Sequence, residues 1–168
     1  MARRGRIAPS FTIREYRDSD EAQFVELVRE LQTHESPFNT WGKPPAEIGT
    51  WYIEEVKRWC AKHEGVVLVA EHETTLSGYA CLLGKCEEDG TGGDIAYTYA
   101  HIADLVVTKT ARGRGIGKAL LNACEAVARE KGRKVLRIGV LTQNESAKRV
   151  YLNFGFMPHH MTLDKLLT

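Results

Sequence analysis

The sequence predicts a single α/β domain. Its 168 residues, of which 43% are hydrophobic and 27% are charged, are enough for one domain with a hydrophobic core. Stretches with the two-residue period of strands alternate with stretches of helical period, in the order β-α-α-β-β-β-α-β-α-β. The most distinctive stretch places a basic glycine loop, Arg112–Lys118, between an apolar strand and an amphipathic helix.

The first half of the chain is expected to form a strand, two helices and a hairpin. Phe11–Tyr16 alternates like an edge strand, and the acidic residues that follow Ser19 mark the start of a helix. After a loop at residues 36–45, a second helix is predicted from about Ala46 to His63. The hairpin consists of strands at Gly65–Ala70 and Leu76–Leu83 around a turn at Thr74-Thr75, followed by an acidic, glycine-rich loop at Glu87–Asp94.

The second half is expected to carry the functional residues. A long strand, Ile95–Thr108, leads into the glycine loop. The next helix begins near Ile116 and ends before Gly132, a residue suited to the position after a helix. The remaining predicted elements are a strand at Val135–Leu141, a short helix at Glu145–Asn153 and a tail at Phe156–Leu167 that is mostly strand.

Composition narrows the classes of function. A net charge of +1 argues against a nucleic-acid-binding protein that works by bulk electrostatics. The basic residues of Met1–Arg6 precede no apolar run, so we expect a mobile tail at residues 1–10, a domain at residues 11–168, no membrane span and a cytoplasmic location. The cysteines lack the C-x-x-C spacing of metal and redox sites and are expected to be free thiols: Cys60, Cys81, Cys86 and Cys124.

The glycine loop predicts a phosphate site. The first N–H groups of a helix have no partner within the helix, and the helix dipole favours an anion there. A magnesium-binding P-loop is excluded because Ala119 stands where a Ser or Thr is required, and a dinucleotide fingerprint is excluded by the G-x-G-x-G spacing. The loop combines glycines, which let a ligand reach the backbone, with arginines, which donate forked hydrogen bonds: Arg112, Gly113, Arg114, Gly115 and Gly117.

A second segment, Val140–Phe156, contains Asn144, Ala147, Tyr151 and the pair Gly155-Phe156. Together with the R-x-x-G-x-G loop, it resembles the GNAT superfamily of acetyl-CoA-dependent N-acetyltransferases. The resemblance covers about residues 100–157 and implies the GNAT fold, a mixed, mostly antiparallel β-sheet flanked by helices on both faces. It also implies an enzyme that moves an acetyl group from acetyl-CoA directly to an amine, with no metal ion.

The resemblance assigns roles to the residues around the loop. The strand before the loop is implied to diverge from its neighbour, so that the pantetheine arm bonds the backbone of Leu105 and Val107. The N–H of Leu105 or Val106 would hold the thioester oxygen, Asn144 would bond the arm, and Ala147 would leave room beside it. The pyrophosphate would be held by Arg112, Gly113, Arg114, Gly115, Ile116, Gly117 and Lys118.

The resemblance also implies that Tyr151 protonates the departing coenzyme A thiolate, whereas the base stays open. Removing a proton at pH 7 from an amine of pKa about 10.4 costs about 4.6 kcal/mol, so a base matters for lysine-like acceptors. His101 on the strand before the loop is one candidate, Asp104 is its rival, and a chain of water molecules is the third. Strand alternation places His101 and Asp104 on opposite faces unless a bulge intervenes. The pairs His34-Glu35 and His159-His160 are expected at the surface.

The acceptor is less well specified. A small amine such as a polyamine, an aminoglycoside or an amino acid is the first expectation, a peptide or protein amine is the second, and a non-catalytic acyl-CoA-binding module is the third. The acids of Glu87–Asp94 would attract a cationic amine or form a solvated loop. The family resemblance implies a possible homodimer through C-terminal strands, here Met157–Leu167. Aromatic residues that would stack on an amine or line the core are Trp41, Trp51, Tyr97 and Tyr99.

Overall fold

The structure, a computed structural model, describes residues 11–165 and 167, and the predicted basic tail at residues 1–10 lies outside this part. Its centre is a five-stranded sheet in the order β1-β2-β3-β4-β5. Neighbouring strands are antiparallel except β4 and β5, which are parallel, so the predicted mixed, mostly antiparallel sheet is confirmed. The strands are β1 Thr12–Glu15, β2 Val66–His72, β3 Thr75–Glu88, β4 Tyr97–Val107 and β5 Leu136–Ile138.

Helices cover both faces of the sheet, as predicted, because alternate residues of each strand present apolar side chains to opposite sides. The helices are α1 Glu21–Glu35, α2 Thr50–Lys62, α3 Ile116–Glu130 and α4 Glu145–Phe154. The α1/α2 cluster is built from buried residues that include Phe24, Val28, Ile53, Val56, Tyr79 and Val106. The α3/α4 cluster includes Ala100, Ile102, Leu120, Leu121, Cys124 and Tyr151.

Several element boundaries differ from the sequence prediction. The second helix begins at Thr50 rather than Ala46, because a short 3-10 turn at Pro45–Glu47 is followed by extended backbone at Ile48 and Gly49. The hairpin turns at Glu73 and Thr74, one residue earlier than predicted. The strand after this turn continues to Glu88, so the first two acids of the predicted loop pair with β4 instead: Glu87 with Thr98 and Glu88 with Tyr97.

The predicted C-terminal strand is wrong for the described residues of the tail. Phe156 packs on the α3/α4 cluster, but none of the described residues from 156 onwards pairs with a strand. An alternating pattern supplies strand propensity only, and a strand also needs a ladder partner. Met157, Met161 and Leu163 are exposed, and a homodimer through this segment stays a prediction.

A β-bulge in β4 decides which of its side chains share a face. Ile102 pairs with Leu82 of β3 and Asp104 pairs with Cys81, so Ala103 has no partner on β3. An unpaired residue shifts the alternation of a strand by one position. Before Ala103, the even-numbered residues Ala100 and Ile102 therefore face the α3/α4 cluster, whereas after it the odd-numbered residues Leu105 and Val107 do.

The close approach of β3 and β4 requires glycine at position 78. A Cβ atom built on Gly78 would lie 2.5 Å from the carbonyl oxygen of Val106 and 3.3 Å from the Cα of Val107. We expect Gly78→Ala to lower the free energy of unfolding by about 2 kcal/mol, because backbone atoms of β4 would have to move. Urea denaturation measures the difference. Gly139→Ala is the control, since a Cβ there meets nothing within 4 Å, and equal midpoints for the two variants would contradict the close approach.

Candidate active site

A gap opens between β4 and β5 at the centre of the site. The two strands pair only over Ala100–Ile102, so residues 104–107 of β4 have strand partners on the β3 side alone. The Thr108 N–H donates to a carbonyl oxygen of β3 at 2.9 Å. Because N–H and C=O groups alternate between the two sides of a strand, those of Leu105 and Val107 face the gap. An extended ligand could add to β4 there as another strand would.

The glycine loop lies at one end of this gap. Within the described chain, the N–H groups of residues 112–118 donate to no protein acceptor. Gly113 and Gly115 have φ angles of 78° and 85°, which glycine adopts without strain. Arg114 and Lys118 are exposed and pair with no described carboxylate, whereas Arg112 donates from Nε to the Val107 carbonyl oxygen at 3.0 Å. Free N–H groups, the start of a helix and two unpaired cations fit a phosphate group.

Asn144 has a structural role that the sequence analysis did not identify. Its side-chain oxygen accepts hydrogen bonds from the Ala147 N–H at 3.2 Å and the Ser146 hydroxyl at 2.9 Å, which caps the start of α4. The side chain is buried, and its amide nitrogen makes no hydrogen bond within the described residues. The cap therefore fixes the orientation of a free amide donor.

Tyr151 lies on the inner face of α4, in the α3/α4 cluster. Its ring meets the ring of Phe156 edge-on at 6.0 Å, and its hydroxyl makes no hydrogen bond with a described residue. Burial first, and the charge of Glu35 second, raise the pKa of Tyr151 to about 12. The hydroxyl therefore keeps its proton at neutral pH.

Asp104 lies on the opposite face of the sheet, towards α1 and α2. Its Oδ2 accepts hydrogen bonds from the Tyr52 hydroxyl at 2.8 Å and the Tyr79 hydroxyl at 3.3 Å. Burial raises the pKa of Asp104, and the two hydroxyl donors lower it by a smaller amount. His101 points to this same face, because its neighbours Ala100 and Ile102 face the α3/α4 cluster. The bulge at position 103 thus places both candidate bases on one face.

His101 is partly buried between aromatic and cationic neighbours. Its Nδ1 is buried and has no hydrogen-bond partner among the described residues. Burial, and then the positive charge of Arg137, lower the pKa of His101 below its usual 6.5. The ring of Tyr99 meets the His101 ring edge-on at 6.5 Å. His101 is therefore neutral at pH 7 and able to accept a proton.

Arg137 contacts several side chains at and near the start of β4. Its guanidinium carbon lies 4.0 Å from the centre of the Tyr99 ring. It also donates to the Tyr97 hydroxyl at 2.5 Å and to Glu88 Oε2 at 3.1 Å, and lies 3.3 Å from the Nε2 of His159. Glu88 is thus held in an ion pair, which corrects its expected place in a solvated acidic loop. The sequence does not predict this ion pair, because Arg137 is in β5 and Glu88 is at the end of β3, and only the folded sheet brings the two side chains together.

Glu35, expected at the surface, is partly buried at the end of α1. Burial and the negative charge of Asp104 raise the pKa of Glu35. No cation of the described residues pairs with it, and its charge also reaches Tyr151. No local pattern marks this residue, because its surroundings come from β4 and α4. Trp41, in the neighbouring loop, is 75% exposed.

Among residues 11–165 and 167, no three His, Cys, Asp or Glu side chains converge as metal ligands would. No helix in that part of the chain is long and apolar enough to cross a membrane.

The sequence of the chain is similar to those of known acetyltransferases. The model of the acetyltransferase (GNAT) family matches residues 25–156. An uncharacterized N-acetyltransferase of Methanocaldococcus jannaschii is 37% identical over 148 residues, which are 88% of this chain and 61% of that relative. This chain thus spans about three fifths of the length of that relative.

Solved structures share the fold at low identity. A mutant protein from Bacillus halodurans superposes with a TM-score of 0.81 at 18% identity, covering 94% of this chain and 99% of that one. The protein AAC(6′)-Iy, in complex with the bisubstrate analogue CoA-S-monomethyl-acetylneamine, superposes with a TM-score of 0.71 at 15% identity, covering 94% and 98%.

The partly buried carboxyl group of Asp104 gives a stability test. Because burial raises its pKa above the ordinary 3.8, the folded protein holds a proton that the unfolded chain has released at the same pH. The wild type should therefore lose stability relative to Asp104→Asn as pH rises from 3.8 through the raised pKa. Urea denaturation at a series of pH values measures this difference.

Asp20→Asn provides the contrast of opposite sign. Hydrogen bonds from Arg14, at 2.7 and 2.9 Å, lower the pKa of Asp20. The wild type should therefore lose stability relative to Asp20→Asn as pH falls from 3.8 through the lowered pKa. The same sign for both variants would contradict the environment assigned to Asp104.

Proposed function

Because the chain belongs to the GNAT acetyltransferase family, we propose that it transfers the acetyl group of acetyl-CoA to a primary amine. Members of this family use acetyl-CoA as the acyl donor. The observation that carries the proposal is the gap between β4 and β5, with unbonded N–H groups of the glycine loop at one end. This arrangement suits a long ligand that carries phosphates at one end.

The chain offers a suitable group for each part of acetyl-CoA. Residues 112–118 would hold the pyrophosphate through backbone N–H groups, Arg114 and Lys118. The backbone of Leu105 and Val107 and the free amide of Asn144 would bond the pantetheine arm. The N–H of Leu105 is the better donor to the thioester oxygen, since the alternation of β4 turns that of Val106 towards β3. The bound thioester supplies the activated acetyl group.

The proposed transfer is direct, without an acyl-enzyme. His101 or Asp104, alone or through water, takes a proton from the acceptor amine on the α1/α2 side of β4. The lowered pKa leaves His101 neutral at pH 7 and able to accept a proton, which supports its role as the base. Tyr151 gives its proton to the departing sulfur, and the raised pKa keeps that proton available at neutral pH.

We infer that the acceptor is a small cationic amine. Asp104 and Glu35 are two partly buried carboxyl groups with no cationic partner among the described residues. Burial and then repulsion from Asp104 raise the pKa of Glu35, and an ammonium group placed between the two carboxyl groups would offset that repulsion. The bisubstrate analogue bound to AAC(6′)-Iy contains acetylneamine, which is consistent with an acceptor of this class.

The first test measures release of the coenzyme A thiol with a panel of polyamines, aminoglycosides, amino acids and peptides. Arg114→Ala should raise the KM for acetyl-CoA roughly tenfold, because one charge-assisted hydrogen bond to phosphate is lost. Arg129→Ala is the matched control, since Arg129 lies near the other end of α3 and pairs with Glu125 at 2.6 Å. Transfer only to peptides would contradict the small acceptor, and coenzyme A binding without any transfer would indicate a non-catalytic module.

The pH profile of kcat separates the proposed acid from the base. His101→Ala should abolish the acidic limb below pH 6.5, because the lowered pKa of His101 sets that limb. Tyr151→Phe should lower kcat by about 10²-fold at every pH in the neutral range and leave that limb in place. An unchanged profile in His101→Ala, with a displaced one in Asp104→Asn, would assign the base to Asp104.

A further inference from the structure

Two of the four cysteines touch each other. Cys60 near the end of α2 and Cys81 in the middle of β3 have their sulfur atoms 3.9 Å apart. All four cysteines are free thiols, but neither Cys86 nor Cys124 has a sulfur contact of this kind within the described residues. Cys60 and Cys81 therefore form a dithiol pair between a helix and the sheet.

The surroundings hold this dithiol pair in place. The Gly65 N–H donates to the Cys60 carbonyl oxygen at 2.7 Å. A Cβ atom on Gly65 would lie 2.9 Å from the Cα of Cys60 and 2.6 Å from the Leu82 carbonyl oxygen. The end of α2 is thus packed directly on β3, next to Cys81. The two sulfur atoms stay neighbours without any large movement of the chain.

Only one of the two sulfur atoms is accessible from solvent. Cys60 lines an open cavity of about 230 Å³, together with Tyr16 and Lys57. Cys81 is fully buried behind it. The hydrogen bond between the thiols lowers the pKa of Cys60 and raises that of Cys81. The accessible sulfur therefore has the greater thiolate character, which is the reactive form.

We propose that Cys60 and Cys81 form a disulfide when Cys60 is oxidised by hydrogen peroxide. The Cys60 thiolate attacks one peroxide oxygen, the O–O bond breaks, and Cys60 becomes a sulfenic acid while hydroxide leaves. The sulfur of Cys81 then attacks the sulfur of Cys60, so that the S–S bond forms and the S–O bond breaks. The proton from Cys81 leaves with the oxygen as water. In sum, two thiols and one peroxide give one disulfide and two water molecules.

The disulfide would affect the candidate active site through Cys81 and through the helix that carries Cys60. Cys81 pairs with Asp104 across β3 and β4. Tyr52, two turns before Cys60 on the same helix, donates to Asp104 at 2.8 Å. Bringing the sulfur atoms from 3.9 Å to about 2.05 Å would draw α2 towards β3 and fix the Tyr52–Asp104 contact.

The test uses the full chain and does not depend on acetyl transfer. The protein is treated with hydrogen peroxide, digested without reductant and analysed by mass spectrometry. We expect a Cys60–Cys81 linked peptide that disappears on addition of dithiothreitol. The thermal midpoint of the oxidised protein should rise by roughly 5 °C, because the cross-link restricts the unfolded chain.

Single variants separate the roles of the cysteines. Cys60→Ser should leave Cys81 reduced, and Cys86→Ser should leave the cross-link unchanged. Cys81→Ala should convert Cys60 irreversibly to the sulfinic acid, because no second thiol can capture the sulfenic acid. In the wild type, a reduced Cys60, an over-oxidised Cys60 or a cross-link to another cysteine would each overturn the proposal. The peptide analysis of the wild type gives this answer even where a variant fails to fold.

Discussion

The arrangement of the candidate site depends on one residue of β4 that has no partner on β3. Ala103 is the bulge of β4, and it shifts the alternation of every residue that follows. Without it, Asp104 would face the α3/α4 cluster, and His101 would be alone on the other side. The same shift turns the backbone of Leu105 and Val107 towards the gap. A single backbone irregularity thus sets both the proposed cofactor contacts and the proposed base.

The two faces of the sheet divide the proposed tasks. On the α3/α4 side, the proposed cofactor contacts are mainly backbone N–H groups and an amide held by a helix cap, so their geometry is set by secondary structure. On the α1/α2 side, the groups are titratable side chains whose charge is controlled by burial and by one another. Affinity for a common cosubstrate can therefore stay constant while the acceptor side varies.

Local signals made the glycine loop and α3 predictable, since a basic loop, a helical period and a terminal glycine all lie within one continuous segment. Gly132 does end the helix in the left-handed conformation, with a φ of 70°. The partners of Asp104 could not be predicted, because Tyr52 and Tyr79 reach it from elements distant in sequence. The pairing of Arg137 with Glu88 likewise depends on the strand register. In the tail, by contrast, the alternating pattern predicts a strand, but the described residues from 156 onwards have no partner strand.

The position of Glu35 has a further consequence for the order of events. The pKa of Glu35 is raised by burial and by the charge of Asp104, and the charge of Glu35 in turn raises the pKa of Tyr151, so Glu35 links groups on the two faces of the sheet. A cation that settles beside Glu35 would offset this charge and make the Tyr151 proton easier to release. A bound acceptor would then strengthen Tyr151 as the proposed acid. In an empty acceptor cleft, the charge of Glu35 would instead keep the pKa of the proposed acid high.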